Sequence, residues 1–264
     1  MGFSFLHLFV MKYGISELAI VPIRSEGSDK AEMINQVLFG EHFKVLENRI
    51  KWSKIRLAHD KYEGWICNKQ WTEIDKNYYH ELDQKKPILT SDFLDIVEHS
   101  SPITVPIGST LPLYDDRSFK INDKEYKYQG PTTSGSTIKD DLVSNAMMYL
   151  NAPYLWGGRT PFGIDCSGLS QMAYRLQGYE IPRDAYQQAE IGNTLSFIEE
   201  SEPGDLALFD NKEGKIIHVG IILENNCILH SSGKVRVDRI DQQGIFNAEE
   251  KKHTHKLRLI KSII

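Results

Sequence analysis

One of the three cysteines, Cys166, stands in a setting that suits a nucleophile. It follows a glycine-rich loop and precedes an apolar stripe at helical spacing, so the sequence predicts that it begins a helix. The free N–H groups and partial positive charge of a helix N-terminus favour a thiolate and are expected to lower the thiol pKa. Cys67 and Cys227 lie in strand-like segments and are interpreted as small buried side chains.

Two later histidines, His218 and His230, supply the other groups that catalysis by a thiol requires. His218, in an Ile-His-Val-Gly segment, could hold the thiolate as an imidazolium and later protonate a leaving amine. His230, in a Leu-His-Ser-Ser segment, could orient His218. The sequence thus indicates a Cys-His-His site.

Side-chain parity constrains how the two histidines can meet. They lie on consecutive predicted strands separated by the turn-forming segment Glu224-Asn225-Asn226. Because side chains alternate between faces along a strand, a three-residue loop makes His230 a diagonal neighbour of His218 on one face. We therefore predict an odd-numbered loop with Asn226 in the left-handed conformation. The opposite, core-facing side is predicted to hold Ile217, Val219 and Ile221.

A zinc site formed by Cys166, His218 and His230 is the alternative interpretation. The sequence lacks the paired Cys-x-x-Cys or His-x-x-x-His element that normally anchors zinc, so the nucleophile is favoured and no metal or organic cofactor is expected. The other histidines have no informative spacing and are interpreted as surface or turn residues: His7, His42, His59, His80, His99, His253 and His255.

Composition favours a folded globular protein. The 264 residues carry a net charge of −5, with 41% hydrophobic and 25% charged residues, which excludes collagen-like, coiled-coil and disordered chains. The mildly acidic balance argues against nucleic-acid binding. No apolar run approaches the roughly 18–20 residues that cross a bilayer, so no membrane span is expected.

The cellular compartment is predicted from two features. Three cysteines make no disulfide framework, which indicates a reducing environment. The apolar segment 3–11 has no basic residue before it and no cleavage site after it, so it is interpreted as a leader or first strand, with Met11 a possible natural start. A cytoplasmic protein is expected, and an exported form stays open.

Short strands in the first half of the chain predict two small β-barrels, which could have arisen by duplication. The candidates lie at 19–23, 37–46, 51–59, 64–67, 103–113, 119–121 and 126–128. A run of small polar residues at 130–137 is a predicted linker. We place the domains at 1–80, 81–132 and 133–264.

The last domain is predicted to be α+β, because helices precede strands in it. One helix is expected over 138–150, capped by Ser136 or Thr137, and a second from Cys166 to a stop at Gly178. The strands follow at 205–210, 215–223, 227–231, 235–239 and 256–260.

Four segments of this domain resemble the NlpC-type cell-wall cysteine peptidases, a papain-like clan. They are Tyr154-x-Trp156-Gly-Gly, Asp165-Cys166-Ser167-Gly, His218-Val-Gly and His230-Ser, in the family's order, and the resemblance covers residues 137–264. It implies a triad of Cys166, His218 and His230, with Tyr154 and the Cys166 N–H at the oxyanion. It also implies that Asp165, Ser167 and Trp156 bind substrate, although Asp165 suits a helix N-cap as well.

The first half of the chain is similar to the bacterial SH3-like modules of γ-D-glutamyl-L-diamino acid endopeptidases. That similarity implies cleavage of the γ-D-Glu–diamino acid bond of murein stem peptides with a free N-terminal L-Ala, during peptidoglycan recycling. The segments Leu38-Phe-Gly-Glu41 and Lys61-Tyr62-Glu-Gly-Trp65 match the positions that close the cleft. Glu41 is therefore expected to pair with the substrate ammonium, with Tyr62 beside it.

Two further functions stay open at this point. An acyltransferase or amidase could use the same fold and an acyl-cysteine intermediate. A non-catalytic peptidoglycan-binding protein could use the barrels alone. The murein peptide L-Ala-γ-D-Glu-diamino acid is the expected partner, and a monomer is favoured.

Overall fold

The computed structural model describes residues 11–136 and 138–264. The segment before Met11, interpreted above as a leader or strand, and the candidate cap Thr137 lie outside the described residues. Within the described ranges, no helix has both the length and the apolar character that crossing a membrane demands.

The first β unit is a seven-stranded antiparallel sheet in the order β3-β2-β6-β5-β4-β1-β7. Apolar side chains that alternate along these strands form its core, Val21, Ile23, Phe43 and Ile55 among them. The strands are β1 Lys12–Ile15, β2 Ile20–Arg24, β3 Met33–Leu38, β4 His42–Asn48, β5 Trp52–Leu57, β6 Glu63–Cys67 and β7 Thr72–Ile74.

The segment 37–46, predicted as one strand, is two strands joined by a tight turn. Gly40 has a φ of +72°, and a Cβ there would collide with the carbonyl oxygen of Thr110. The Glu41 carboxylate accepts the N–H of Leu38 at 2.9 Å across the turn. The turn therefore aims the Glu41 side chain into the interior rather than along a strand.

A capped helix leads into the second β unit. Helix α1, Lys76–Gln84, is capped by Asp75 and spans the predicted domain limit at residue 80. The unit has a four-stranded sheet, β10-β9-β13-β12, and a three-stranded sheet, β11-β8-β14. Its strands are β8 Ile88–Thr90, β9 Leu94–Glu98, β10 Ile103–Pro106, β11 Thr110–Leu111, β12 Ser118–Ile121, β13 Lys124–Tyr128 and β14 Thr132–Thr133.

The two β units share a core. Phe39 of the first unit packs edge-on against Phe119 and Tyr126 of the second, with ring centroids 6.0 and 6.1 Å apart. The strand predicted at 103–113 is interrupted, because Gly108 adopts a φ of +79° and turns the chain between β10 and β11. The predicted limit at 132 falls within β14, which pairs with β8.

The third unit begins with helices and continues with strands. Its helices are α2 Lys139–Met147, α3 Cys166–Leu176 and α4 Ala185–Gln188, with one 3₁₀ turn at Ile198–Glu200. Its strands are β15 Arg159–Thr160, β16 Gly163–Ile164, β17 Asn193–Leu195, β18 Leu206–Asp210, β19 Ile216–Leu223, β20 Cys227–Ser232, β21 Lys234–Asp241, β22 Gly244–Asn247 and β23 Lys252–Ser262.

The main sheet of this unit is closed on itself. Its order is β17-β23-β18-β19-β20-β21-β22, and β22 also pairs with β23, so six strands form a ring. Strand β22 was not predicted, and β23 is longer than predicted. Strand β22 is only four residues long, and β23 is largely charged and exposed over its first half, so the sequence pattern is weak there and the pairing of the two strands holds them.

Both faces of strand β19 are buried, but not along its whole length. Val219 and Ile221 pack with the helices, whereas Ile222 lies inside the ring with Phe209. Ile217 was predicted to share the core-facing side, and this is wrong, since 55% of it is exposed. It lies at the end of the strand, beyond the helices that cover its neighbours.

Candidate active site

The loop before the nucleophile is wound tightly around one carboxylate. Asp165 caps helix α3 by accepting the Gly168 N–H at 2.7 Å, and its second oxygen accepts the Gly157 N–H at 2.7 Å. Gly157 has a φ of +76°, and a Cβ there would press against the backbone of Met33. These contacts place Cys166 as the first residue of the helix.

A buried arginine fixes the residues on either side of the thiol. Arg183 donates to both oxygens of Asp165, at 2.9 and 2.7 Å, and to the Ser167 hydroxyl at 2.8 Å. Asp165 and Ser167, predicted to bind substrate, are thus largely occupied by internal hydrogen bonds. The role of Arg183 was missed, and the only sequence signal was its place in the Pro-Arg-Asp run before α4.

The Cys166 thiol is protonated in the resting protein. Burial raises its pKa to about 12, the Asp165 carboxylate adds to the shift, and the Val219 N–H only partly opposes it. The predicted lowering by the helix N-terminus is therefore overcome by desolvation. The thiol needs a base during attack. Cys67 and Cys227 are half-buried rather than fully buried as predicted.

The two histidines meet as the hairpin parity predicts. Leu223 pairs with Cys227, which leaves a three-residue loop, and Asn226 has a φ of 54°. Asn225 is left-handed too, with a φ of 57°. His218 Nε2 lies 2.9 Å from His230 Nδ1, both side chains being buried.

A carboxylate that the sequence analysis missed, Asp238, extends the hydrogen-bonded pair of His218 and His230. His230 Nε2 lies 3.0 Å from Asp238 Oδ2, and Arg236 Nε lies 2.8 Å from the same oxygen. Burial raises the pKa of Asp238, but the hydrogen bonds from His230 and Arg236 outweigh it and hold that pKa below its usual value. Strand pairing explains the contact, since His230 lies opposite Arg236 and Asp238, two residues further on, is its diagonal neighbour on the same face.

The ionised carboxylate dictates where the imidazole protons sit. Asp238 can only accept, so Nε2 of His230 carries a proton and Nδ1 of His230 accepts. His218 must then donate through its own Nε2, which leaves Nδ1 of His218 unprotonated. Burial, with a further contribution from His255, keeps the pKa of His218 well below its usual value. The hydrogen-bonded series of His218, His230 and Asp238 therefore presents a neutral base, Nδ1 of His218.

His255 is not the surface or turn residue that was predicted. It lies on strand β23 and stacks on His218, with ring centroids 4.2 Å apart and planes 26° apart. Its ring also packs edge-on to His230 at 5.6 Å. Burial lowers the pKa of His255 to about 4.

Tyr154 and Trp156 lie on the loop that leads to the thiol, with surface free for a ligand. Burial raises the pKa of Tyr154 to about 12, and the Cys166 thiol and Asp165 add to the shift. The hydroxyl is therefore a donor at neutral pH. Trp156 is 58% exposed.

Next to Arg183 in the sequence lies Asp184, a half-buried carboxylate that forms no salt bridge within residues 11–136 and 138–264. Burial raises the pKa of Asp184, with Asp165 adding to the shift and Arg183 opposing it. Burial raises the pKa of Tyr62 as well, and Asp184 contributes to that shift, so the two side chains are neighbours. Asp184 was missed as a site residue. Tyr62 was predicted to lie beside Glu41, but its hydroxyl is hydrogen-bonded to Asp184 instead.

Glu41 does not fit the predicted ammonium site. It is fully buried, and its two oxygens accept from Arg159, each at 2.9 Å. Arg175 lies 3.4 Å from one oxygen, and the Leu38 N–H donates to the other. With these partners the carboxylate is neutralised inside the protein, so it joins units of the fold instead of facing a ligand.

Two family models and several relatives match the chain. Residues 151–255 match the NlpC/P60 family, and residues 23–70 match the bacterial dipeptidyl-peptidase SH3 domain. The chain is 30% identical over 222 residues to the gamma-D-glutamyl-L-lysine dipeptidyl-peptidase of Bacillus subtilis (strain 168), covering 74% of this chain and 71% of that protein. It is 27% identical over 241 residues to dipeptidyl-peptidase 6 of Lysinibacillus sphaericus, covering 81% and 86%.

A solved structure shares the fold along nearly the whole chain. It is an NlpC/P60 family protein from Bacillus cereus ATCC 10987, with a TM-score of 0.79 at 18% identity, covering 95% of this chain and 99% of that one. Fold and site define a cysteine peptidase. The chain belongs to the NlpC/P60 family, with an SH3 domain ahead of its peptidase domain.

Proposed function

We propose that the protein is an endopeptidase that hydrolyses the γ-D-Glu–diamino acid bond of murein stem peptides with a free N-terminal L-Ala. The observation that carries the proposal is the hydrogen-bonded series His218–His230–Asp238, together with the Cys166 thiol at the start of helix α3 and the half-buried Asp184 carboxylate, which follows the Arg183 that holds Asp165. The printed name of the Bacillus subtilis relative, a gamma-D-glutamyl-L-lysine dipeptidyl-peptidase, supports it.

The reaction follows from the proton positions. As the Cys166 sulfur attacks the carbonyl carbon, its proton passes to Nδ1 of His218. The imidazolium is stabilised through His230 by the Asp238 carboxylate. The oxyanion receives hydrogen bonds from the Tyr154 hydroxyl and the Cys166 N–H.

His218 then returns the proton to the other half of the peptide. Nδ1–H protonates the leaving amine, and the acyl group stays on the sulfur as a thioester. His218, neutral again, takes a proton from water as the water attacks the thioester. The acid is released and the Cys166 thiol is restored, so the cycle needs no metal and no redox partner.

The substrate's free amine has a partner in Asp184. An α-ammonium would add a cation beside a carboxylate whose charge Arg183 and the Tyr62 hydroxyl offset only in part, and Tyr62 would orient it. Glu41, predicted for this role, is replaced by Asp184 in the proposal. Arg183, next to Asp184 in the sequence, holds both residues that flank the thiol, so an amine anchored at Asp184 would favour release of an N-terminal dipeptide.

The proposal also covers the domain organisation, the cellular compartment and the oligomeric state. Two SH3-like units, at 1–80 and 81–132, would shape the cleft of a peptidase domain at 133–264. The protein would act on free stem peptides in the cytoplasm, within peptidoglycan recycling, as a monomer. Both β units contact the peptidase unit, through Arg159 with Glu41 and through Arg175 with Thr110.

Mass spectrometry of a digest of L-Ala-γ-D-Glu-diaminopimelate tests the function. Free L-Ala-D-Glu and diaminopimelate are expected from the wild type and not from Cys166→Ala. Transfer of the dipeptidyl group to an added amine instead of water would favour an acyltransferase. Binding to murein sacculi without any turnover would favour a wall-binding protein.

A further inference from the structure

Three histidines from three strands meet at one point of the sheet, and the first of them, His218, precedes the Val219 whose backbone N–H contacts the Cys166 thiol. One ring nitrogen from each of His218, His230 and His255 can be chosen so that all three lie within 4.8 Å of one another. His218 and His230 are buried, and His255 is partly buried. The proposed hydrolysis uses only His218 and His230, so it gives His255 no role.

The nitrogens available are suited to a transition metal. Nδ1 of His255 contacts the Thr254 hydroxyl at 2.9 Å, which leaves its Nε2 for the cluster. His230 already donates its outer Nε2–H to Asp238, the carboxylate–histidine arrangement that fixes and strengthens a metal-ligating imidazole. Imidazole donors favour Zn²⁺ and its neighbours over Mg²⁺ or Ca²⁺.

We propose that His218, His230 and His255 form a binding site for a divalent transition-metal cation, such as Zn²⁺, and that the cation inhibits the peptidase reversibly. The ligands would be Nε2 of His218, Nδ1 of His230 and Nε2 of His255. This site differs from the Cys-His-His zinc site considered from the sequence, because His255 takes the place of the cysteine.

The bound cation would inhibit the enzyme by changing which nitrogen of His218 carries the proton. In the catalytic arrangement Nε2 of His218 carries the proton and Nδ1 is the base. A cation on Nε2 displaces that proton to Nδ1, so His218 stays neutral but can no longer accept the thiol proton. Zn–N bonds of about 2.0–2.1 Å also need the His218 and His230 nitrogens slightly further apart than their present 2.9 Å. The metal ion and the hydrogen bond between His218 and His230 therefore cannot be present at the same time.

Co²⁺ and Zn²⁺ are the probes. Titration of the full chain with Co²⁺ is expected to give a visible absorption band of four- or five-coordinate cobalt, lost on adding Zn²⁺. Zn²⁺ is expected to slow alkylation of Cys166 by iodoacetamide, followed by peptide mass spectrometry, and to inhibit peptide hydrolysis until a chelator is added.

His255→Phe is the decisive variant, because phenylalanine keeps a ring against His218 but offers no ligand. We expect it to weaken Co²⁺ and Zn²⁺ binding by more than the roughly 10–100-fold caused by loss of an outer-shell partner. His253→Phe is the matched control on the same strand, since His253 pairs with the exposed Asp241 at 3.0 Å. It should leave metal affinity unchanged.

Two results would overturn the proposal. One is Co²⁺ affinity that is equal in wild type and His255→Phe, and the other is metal binding that leaves the alkylation rate of Cys166 unchanged. The inhibition rests on the role of His218 in the proposed function. Co²⁺ absorption and alkylation need no turnover, so they decide the metal site even if the tripeptide is not cleaved.

Discussion

Glu41 of the first β unit and Arg159 of the loop before the nucleophile form an ion pair in which neither side chain reaches solvent. The two oxygens and two guanidinium nitrogens are joined at 2.9 Å each. Because two buried charges are stable only in close, well-oriented contact, the pair holds the SH3 domain against the peptidase domain in one arrangement.

Glu41→Gln is expected to destabilise the protein by about 3–5 kcal/mol, since it leaves Arg159 buried without its counter-charge. The free energy of unfolding, measured by urea denaturation at pH 7, checks this. Glu63→Gln is the matched control. Glu63 pairs with Lys54 and Arg56 at the surface, so its loss should cost no more than about 1 kcal/mol.

The same pair predicts a pH dependence of stability. Burial opposes ionisation of Glu41, but Arg159, with His59 and Arg175, holds its pKa at about 2, below its usual value of 4.5. A lowered carboxyl pKa stabilises the fold fully above pH 4.5, and this contribution is lost as the pH falls toward about 2. The gap in unfolding free energy between wild type and Glu41→Gln should therefore narrow from pH 6 to pH 3. A constant gap would contradict the ion-pair account.

Asp238→Asn tests whether the carboxylate sets the protons of the histidine chain. An amide can donate to His230 as well as accept, so the tautomer of His218 that can act as a base is no longer enforced. We expect kcat to fall about 10–100-fold, less than the roughly 100–10,000-fold that loss of a general base itself causes, while KM changes little. Asp238→Glu should restore part of the loss.

The pH dependence of kcat/KM distinguishes a positioning role of Asp238 from a purely structural one. His218 must be neutral to act, and its pKa lies well below the usual value, so wild-type kcat/KM should stay level from pH 8 to below pH 6. Removing the Asp238 charge takes away a group that stabilises the imidazolium, which moves the acid limb to lower pH. If Asp238→Asn kept the wild-type kcat and the acid limb of its kcat/KM profile stayed at the same pH, Asp238 would have no part in the reaction.

Cys166→Ala should abolish turnover, whereas Cys67→Ala and Cys227→Ala should retain it. Because the pKa of Cys166 is raised to about 12, its alkylation by iodoacetamide should depend on His218 at neutral pH. His218→Ala is therefore expected to slow alkylation of Cys166 and leave the two half-buried cysteines unaffected. Loss of activity through alkylation of Cys67 or Cys227 alone would contradict the assignment.

Local rules accounted for much of the peptidase unit. The start of α3 at Cys166, its stop near Gly178 and the parity of the His218–His230 hairpin all depend on residues close in sequence. Such features follow from capping, glycine conformation and the alternation of side chains along a strand.

What the sequence could not show depends on contacts between distant segments. Glu41 resembles a ligand-binding carboxylate until Arg159, more than a hundred residues later, is placed against it. His255 has no informative neighbours in sequence, and the pairing of β23 with β18 and β22 brings it onto His218. Desolvation is equally non-local, which is why the Cys166 pKa rises where the helix N-terminus alone predicts a fall.

The last prediction concerns the amine of the substrate. If Asp184 binds the α-ammonium, N-acetylation of the stem peptide and Asp184→Asn remove the same interaction from opposite sides. Each change should raise KM or lower kcat/KM strongly, and the two together should cost little more than one, because interacting groups are not additive. The measurement is kcat/KM for wild type and Asp184→Asn on free and acetylated L-Ala-γ-D-Glu-diaminopimelate. Independent, fully additive losses would place the ammonium elsewhere in the cleft.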